Sequence, residues 1–438
     1  FLVSLLKFLL DSALHTPMHH FARRIYSYMI GHKWPGGGAD ELARELHAHD
    51  PDWFFFWWDA RKLDQSIVAI LISVICMLSL VVYRPGTRYY DILKNIMAHC
   101  SDITAVKYVT WLGKYCRVVI GTVFSGEFNT GHIDTMVMDI LWESFIISVK
   151  DKVGKIETPE AKEALILLNE VWEEDTITPY VIGRKGQPKN YAVKLYGDDG
   201  LAGAHMKLRK WVNLKDFMEF SIKEMGITLK DTASGESVEF FTRILPDGSC
   251  ETNHPNLLKR YFIKITTGVW QGGKEKCVVG FRPIVDYNVR LGRSTTDLTD
   301  PAIEFARIIG LMWDTMGTNK VAWSMMEDAI EWLKTKFPNI EADLLEISGY
   351  ADSVDPVKIA KYRKFESVLD YSKKIGGDIN LITVPNQGAV FYRFLPHDVN
   401  SRFVSKQNRK IQSCITLWHE RSYKNTPFYY TKMCPDES

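Results

Sequence analysis

Two short segments place carboxylates where the chain is expected to turn. Asp59 closes the aromatic run Trp53-Phe54-Phe55-Phe56-Trp57-Trp58, and Asp198-Asp199 follow Tyr196-Gly197. Phosphoryl transfer to a hydroxyl asks little covalent chemistry of a protein; it asks for cations that clamp the attacking and leaving oxygens. Mg2+ takes hard oxygen ligands, so carboxylates carried to one point by separate strands are the donor set this chemistry needs. Adjacent strand residues point to opposite faces, so Asp198 and Asp199 cannot contribute equally. Asp59 and Asp198 are therefore expected to touch metal, with Asp199 in support. Alone, Gly-Asp-Asp is also an ordinary hairpin turn, so its neighbours must decide.

The elements that would position these acids can be read from pattern. Trp53 to Trp58 suits a strand covered on both faces. Tyr191 to Leu195 alternates into the Gly197 turn, and an amphipathic helix is expected from about Leu201 to Met225. Residues 134–150 have helical apolar spacing, and Thr158-Pro159-Glu160 starts another helix with an N-cap hydroxyl and a proline at N1. Upstream, Pro35-Gly36-Gly37-Gly38 breaks the chain before a short helix from Ala39 to His47. Short strands are expected at 238–245 and 259–267, and mainly helix from Asp300 onward. Ser66 to Tyr83 carries no charge over 18 residues, the length at which a membrane span becomes a candidate. Three serines and the acids just before it favour a fully buried helix instead.

Composition limits the function classes. Of 438 residues, 46% are apolar and 24% charged, which is globular and excludes disorder as the explanation of any long stretch. A net charge of +1 means that nucleic-acid binding must rest on local clusters. Two are available: Lys207, Arg209 and Lys210, and a later stretch with Arg402, Lys406, Arg409, Lys410, Arg421 and Lys424 among Phe403, Trp418 and Tyr423. Seven scattered cysteines without a Cys-x-x-Cys pair fit a reducing compartment. Gly268-x4-Gly273-Lys274 approaches a phosphate-binding loop, but Glu275 stands where Ser or Thr is needed. His47 and His49 have no third ligand nearby in sequence. The chain opens on Phe1, and FLVSLLKFLL lacks a basic leader and a cleavage site, so an internal cut is expected there.

Asp59-x4-Asp64 in WDARKLDQS, Ser125-Gly126-x3-Thr130 in FSGEFNTGHIDT and Tyr196 to Asp199 follow one another in that order. Together they resemble motifs A, B and C of the palm of positive-strand RNA virus RNA-dependent RNA polymerases. Gly226-Ile227-Thr228-Leu229-Lys230 is similar to the end of motif D, and Phe240-Phe241-Thr242-Arg243 to motif E. The resemblance implies an α+β right-hand polymerase: an antiparallel-sheet palm covered by helices, partial fingers and a mainly helical thumb. It places residual fingers at 1–52, palm at 53–245 and thumb at 246–438, with a fingers insertion at about 84–118 and a further insertion at about 151–190. Motif F, which neutralises the triphosphate, is expected before residue 1, because Arg23-Arg24 resembles the segment that follows it.

Residue by residue, the resemblance gives Asp59, Asp198 and Asp199 two Mg2+ ions, with Mn2+ as a substitute. Lys230 becomes a general acid toward pyrophosphate, and Asp64 the sensor of the ribose hydroxyl. Ser125 and Gly126 form the motif B loop, and Thr130 adds a second hydroxyl near the sugar. The family commonly has Asn four residues after this Thr; here it is Asp134, expected to share a proton or hydrogen bond with Asp64. Arg243, Lys207, Arg209 and Lys210 are expected on RNA. A carboxylate at Asp64 can accept a hydrogen bond from a 2′-hydroxyl, which speaks for ribonucleotides and against a reverse transcriptase. A non-catalytic RNA-binding scaffold is the other alternative, and it predicts that the acids do not converge. The implied partners are template and nascent RNA, ribonucleoside triphosphates, other viral replication proteins and, indirectly, host membranes. The implied location is the host cytoplasm at membrane-associated replication complexes.

Overall fold

A computed structural model describes residues 15, 16, 18, 26–78, 80, 83, 85–86, 88–111, 115–123, 130–173, 185–270, 273–292, 300–375 and 379–396. The chain forms two units, one within residues 1–32, 43–242 and 252–259, the other within 33–42, 243–251 and 260–438.

After helix α1 (Gly38–Glu45), the aromatic run becomes strand β1 (Trp53–Asp59), every ring buried and only Asp59 partly exposed. Short helices α2 (Leu63–Ser66) and α3 (Ala69–Leu78) follow, then α4 (Arg88–Ala105) and a hairpin of β2 (Val106–Trp111) and β3 (Tyr115–Ile120). The long helix α5 (Thr130–Val153) and α6 (Pro159–Asn169) lead to β4 (Tyr191–Tyr196), β5 (Asp199–His205), α7 (Leu214–Met225), β6 (Gly235–Ser237) and β7 (Asn256–Leu257). Strands β4, β5, β1 and β6 pair antiparallel in that order.

One face of this sheet is closed by helices. Phe54, Phe56 and Trp58 point together at Trp142 of α5 and Phe217 of α7, with the Trp58 and Phe217 rings 4.7 Å apart. Phe55 turns the other way and meets Phe240 edge to face at 4.9 Å. Such wide rings on a central strand need small partners. Gly200 lies opposite Trp58 and Gly235 opposite Trp57, and a Cβ on either glycine would overlap the indole it faces. Burial of so many rings, each worth ~2–3 kcal/mol, makes β1 a rigid base for the acid at its end.

Three expectations need correction. The helix expected from Leu201 starts only at Leu214, capped by the Asn213 side chain onto the Asp216 N–H at 2.9 Å. Residues 199–205 are strand instead, because Gly200, Ala202, Gly203 and Ala204 fit between β4 and the aromatic strand, and this pairing overrides their local preference. The strand expected at 238–245 is not formed: the only strand nearby, β6, ends at Ser237, and 238–245 has no regular structure beyond a single bridge from Ile244 to Cys250. The uncharged run 66–83 gives a helix of ten residues rather than a fully buried one: Ile72, Ile75 and Cys76 face inward, while Val68, Ile70, Val74 and Leu78 are exposed. No described helix is long and apolar enough to cross a membrane.

The second unit pairs β8 (Arg260–Trp270) with β9 (Gly273–Phe281) and continues as helices α8 (Ile284–Gly292), α9 (Pro301–Asp314), α10 (Lys320–Lys336), α11 (Ile340–Ser348), α12 (Pro356–Lys374) and α13 (Gln387–Arg393). The described residues of the near-match to a phosphate loop, Gly268 to Trp270 and Gly273-Lys274, lie in β8 and β9, and β9 continues to Phe281 where such a loop would start a helix. Asp314 is fully buried; burial opposes its charge, but Arg260 and Arg282 outweigh burial and hold it below the usual carboxylate range.

Candidate active site

Asp59 and Asp199 face each other as the last register pair of β1 and β5, and Asp198 sits in the two-residue turn between β4 and β5. Gly197 opens that turn at φ 60, the conformation a two-residue hairpin asks of its first central residue and one that glycine adopts without strain. The β1–β5 ladder runs one step into the turn, since the Ala60 N–H donates to the Asp198 carbonyl at 3.0 Å. Residues 228–230 then run along the same stretch: the Arg61 N–H donates to the Thr228 carbonyl at 2.7 Å, and the Lys230 N–H to the Asp59 carbonyl at 2.9 Å. That backbone pairing delivers the Lys230 ammonium to Asp59 Oδ1 at 2.5 Å. Asp64 stands in the first turn of α2, whose chain is tied to 122–123 by the Val123 N–H on the Asp64 carbonyl at 2.6 Å.

Electrostatics show how closely these acids are gathered. The Asp198 carboxyl is raised above its ordinary value, first by burial, then by Asp59 and Asp64, with Lys230 pulling it back. Asp199 is pushed up to about 7 by burial and by Asp198 and Asp59, against Lys230 and Lys259. Asp134, on the buried side of α5, is pushed up to about 8 by burial, Asp64 and Asp198. Its Oδ1 is buried without a hydrogen-bond partner, and Asp64 acts on it through charge. Burial, the largest of these causes, favours the protonated form of the Asp134 carboxyl.

Among the described residues, no group of three or more His, Cys, Asp or Glu is arranged to hold a metal ion. Asp59 and Asp198 supply carboxylates from a strand end and a turn, and Mg2+ is commonly held by one or two carboxylates with phosphate oxygens and water completing its shell. The donor chemistry of Asp59 and Asp198 therefore fits Mg2+.

The other sequence-predicted residues are spread more widely. Thr130 is the first residue of α5, one turn before Asp134; Ser125 and Gly126 lie outside the described residues, as do Arg23, Arg24 and the basic stretch from Arg402 to Lys424. Lys207, Arg209 and Lys210 follow the far end of β5, about 20 Å from the Asp198 turn at ~3.3 Å per residue. There Lys207 pairs with Glu163 at 2.6 Å and Arg209 with Glu236 at 2.8 Å. Arg243 belongs to the other unit and is exposed. His47 stacks on Trp53 at 4.1 Å, and His49 meets Phe241 at a tilt at 5.1 Å.

Two residues were missed. Tyr28 lies on the outer edge of β4, where the Leu195 N–H donates to Ser27 and the Met29 N–H to Leu195, and its hydroxyl meets His132 Nδ1 at 2.8 Å. Thr135 accepts the Gly197 N–H at 2.8 Å. For Tyr28 the sequence held no signal; for Thr135 the only one was its place directly after Asp134.

No protein-family model and no curated protein matches the chain. Among solved structures, it is similar to the crystal structure of the RNA-dependent RNA polymerase of a human picorbirnavirus, with a TM-score of 0.51 and 14% identity over 86% of this chain and 60% of that one. The insertion loop deletion mutant of the RNA-dependent RNA polymerase of a human picorbirnavirus aligns more distantly, with a TM-score of 0.42 and 15% identity over 77% of this chain and 52% of that one. The chain thus covers less than two thirds of the length of either. A mixed fold in which an antiparallel sheet carries Asp59 and Asp198 to one end, and which superposes on such an enzyme over most of its length, is the fold of a viral RNA-dependent RNA polymerase.

Proposed function

We propose that this protein is an RNA-dependent RNA polymerase that adds ribonucleoside triphosphates to an RNA 3′ end with release of pyrophosphate. The observation that carries this reading is the junction of three segments at one point: Asp59 at the end of β1, the Asp198 turn bonded to Ala60, and Lys230 on Asp59. A scaffold without catalysis has no need to bring two carboxylates and an ammonium together at a cost in repulsion. In this reading residues 53–245 are the palm, 1–52 and 84–118 belong to the fingers, and 246–438 form the thumb.

Asp59 and Asp198 would hold two Mg2+ ions, with Asp199 behind them; bound there, the ions supply charge neutralisation of the triphosphate and activation of the 3′-hydroxyl. Lys230 occupies part of the place of that positive charge in the free site. Once Asp59 is otherwise engaged, its ammonium is released to donate a proton to the departing pyrophosphate. Asp64 accepts from the ribose 2′-hydroxyl. Asp134, protonated at neutral pH, offers one donor and one acceptor, the same pair as the amide that relatives of the motif carry at this position. A neutral acid also removes the repulsion that two carboxylates near one sugar would create. Arg243, Lys207, Arg209 and Lys210 would contact RNA away from the reacting end, and the cytoplasmic, membrane-associated setting with other replication proteins follows from the same reading.

Primer extension on an RNA template with Mg2+, comparing the wild type with Asp198→Ala, tests the proposal. Incorporation by the wild type and its loss in the variant are expected. Equal incorporation by both, or none by either, would overturn it.

A further inference from the structure

The Gly197 peptide is held from outside its own hairpin. Its N–H donates to Thr135 Oγ1 at 2.8 Å, and the Thr135 hydroxyl in turn donates to the Gly131 carbonyl at 2.7 Å. The hydroxyl hydrogen is therefore committed within the helix, and an oxygen lone pair is left aimed at Gly197. Thr135 is completely buried, so no water competes for either bond. The same turn of α5 is braced by Tyr28: its hydroxyl interacts with the Thr135 side chain and reaches His132 Nδ1 at 2.8 Å, and its ring stacks on His132 with centroids 5.6 Å apart. Tyr28 is itself fixed along β4 by the Leu195 and Ser27 backbone bonds. Packing does not hold the glycine at one height above the sheet, because a side chain begun at Gly197 would meet nothing within 4 Å. Beyond the Ala60 bond to the Asp198 carbonyl, the hydrogen bond to Thr135 has that task.

We propose that Thr135 is a positioning residue for the metal site: through the Gly197 N–H it sets where the Asp198 carboxylate stands relative to Asp59, and it couples that height to the first two turns of α5, which carry Thr130 and Asp134. The proposal rests on the polymerase reading, since it assigns Asp198 to metal. A change at the start of α5 thereby reaches Asp198 without any contact between substrate and the turn.

The test uses the full chain and Mn2+ alone as the probe, with binding followed by loss of the free Mn2+ electron paramagnetic resonance signal. Thr135→Val keeps shape and removes the acceptor; Thr135→Ser keeps it. The Val variant is expected to raise the half-saturating Mn2+ concentration about five- to tenfold, the worth of one buried hydrogen bond, with Ser within about twofold of wild type on the same scale. An unchanged midpoint in a folded Val variant overturns the proposal. Thr135→Ala is carried in parallel: if Val and Ala both fail to fold while Ser folds, Thr135 serves the fold alone and the proposal also falls. A wild type that binds Mn2+ with the expected ranking of variants but extends no RNA would remove the polymerase reading and leave this placement standing. Extension by wild type with equal midpoints would do the reverse.

Discussion

Replacing Asp134 by asparagine tests whether α5 presents a neutral acid to the site. In the unfolded chain Asp134 ionises with the ordinary value of 3.8, whereas in the folded chain burial, Asp64 and Asp198 push it up to about 8. Between those values the folded state binds a proton that the unfolded state has released, so stability falls as pH rises through that window. At ~1.4 kcal/mol per unit, the burden is about 1 kcal/mol at pH 4.5, about 4 kcal/mol at pH 7, and constant above pH 8. The Asp134→Asn protein carries no such burden, and its amide keeps the shape and the donor of the protonated acid. The variant should therefore match the wild type near pH 4 and exceed it progressively up to pH 8. Urea unfolding followed by tryptophan fluorescence in EDTA, at intervals from pH 4.5 to 8.5, measures the difference; Asp198 and Asp199 titrate in both proteins and largely cancel. Parallel stability curves would refute the buried-proton account. The same logic predicts equal ribose preference for the two proteins at pH 7, with divergence above pH 8.

Asp198→Ala should raise the melting temperature in EDTA, because it removes an acid that Asp59 and Asp64 repel, and should abolish the further rise that Mg2+ gives the wild type; a retained Mg2+ shift would move the metal elsewhere. Gly200→Ala should cost about 3 kcal/mol, since its methyl group would overlap the Trp58 indole and push β5 off β1, and calorimetry showing less than ~1 kcal/mol would mean the sheet yields more easily than its packing implies. Lys230→Met should lower kcat by about 100-fold with little change in nucleotide KM, and Lys230→Arg should restore part of it; a change confined to KM would make Lys230 a binding group only.

What could be read before the fold was known follows the range of the forces involved. β1 was legible because six consecutive rings allow few other fates, and the Thr158 cap was legible because its hydroxyl acts over three residues, on the Ala161 N–H. The identity of Asp59, Asp64, Asp198 and Lys230 as candidates came from order along the chain. Their convergence did not, since it depends on the Lys230 N–H pairing with the Asp59 carbonyl across 171 positions. The error at 201–213 has the same source: glycines and alanines look like a weak helix until rings on a neighbouring strand require small partners. Asp134 was visible as a departure from pattern, but its proton was not, because burial is a property of α5 against the sheet.

The site's acids also explain why its glycines and aromatics are where they are. Asp59, Asp64, Asp198 and Asp199 repel one another, and Lys230 and Lys259 offset only part of that repulsion. Left to themselves, these segments would separate. The ring stack of β1 on Trp142 and Phe217 supplies the rigidity that holds Asp59 in place, and the Gly200 and Gly235 gaps let the flanking strands close on it. The space beside Gly197 is open, and two hydrogen bonds tie the turn to segments outside its own hairpin, from Ala60 to the Asp198 carbonyl and from Gly197 to Thr135. In the proposed site Asp59 would thus be the fixed acid and Asp198 the adjustable one. Divalent cations would gain most of their purchase by drawing Asp198 toward Asp59, so substitutions that loosen the turn should weaken metal binding more than those of equal thermodynamic cost in the aromatic core.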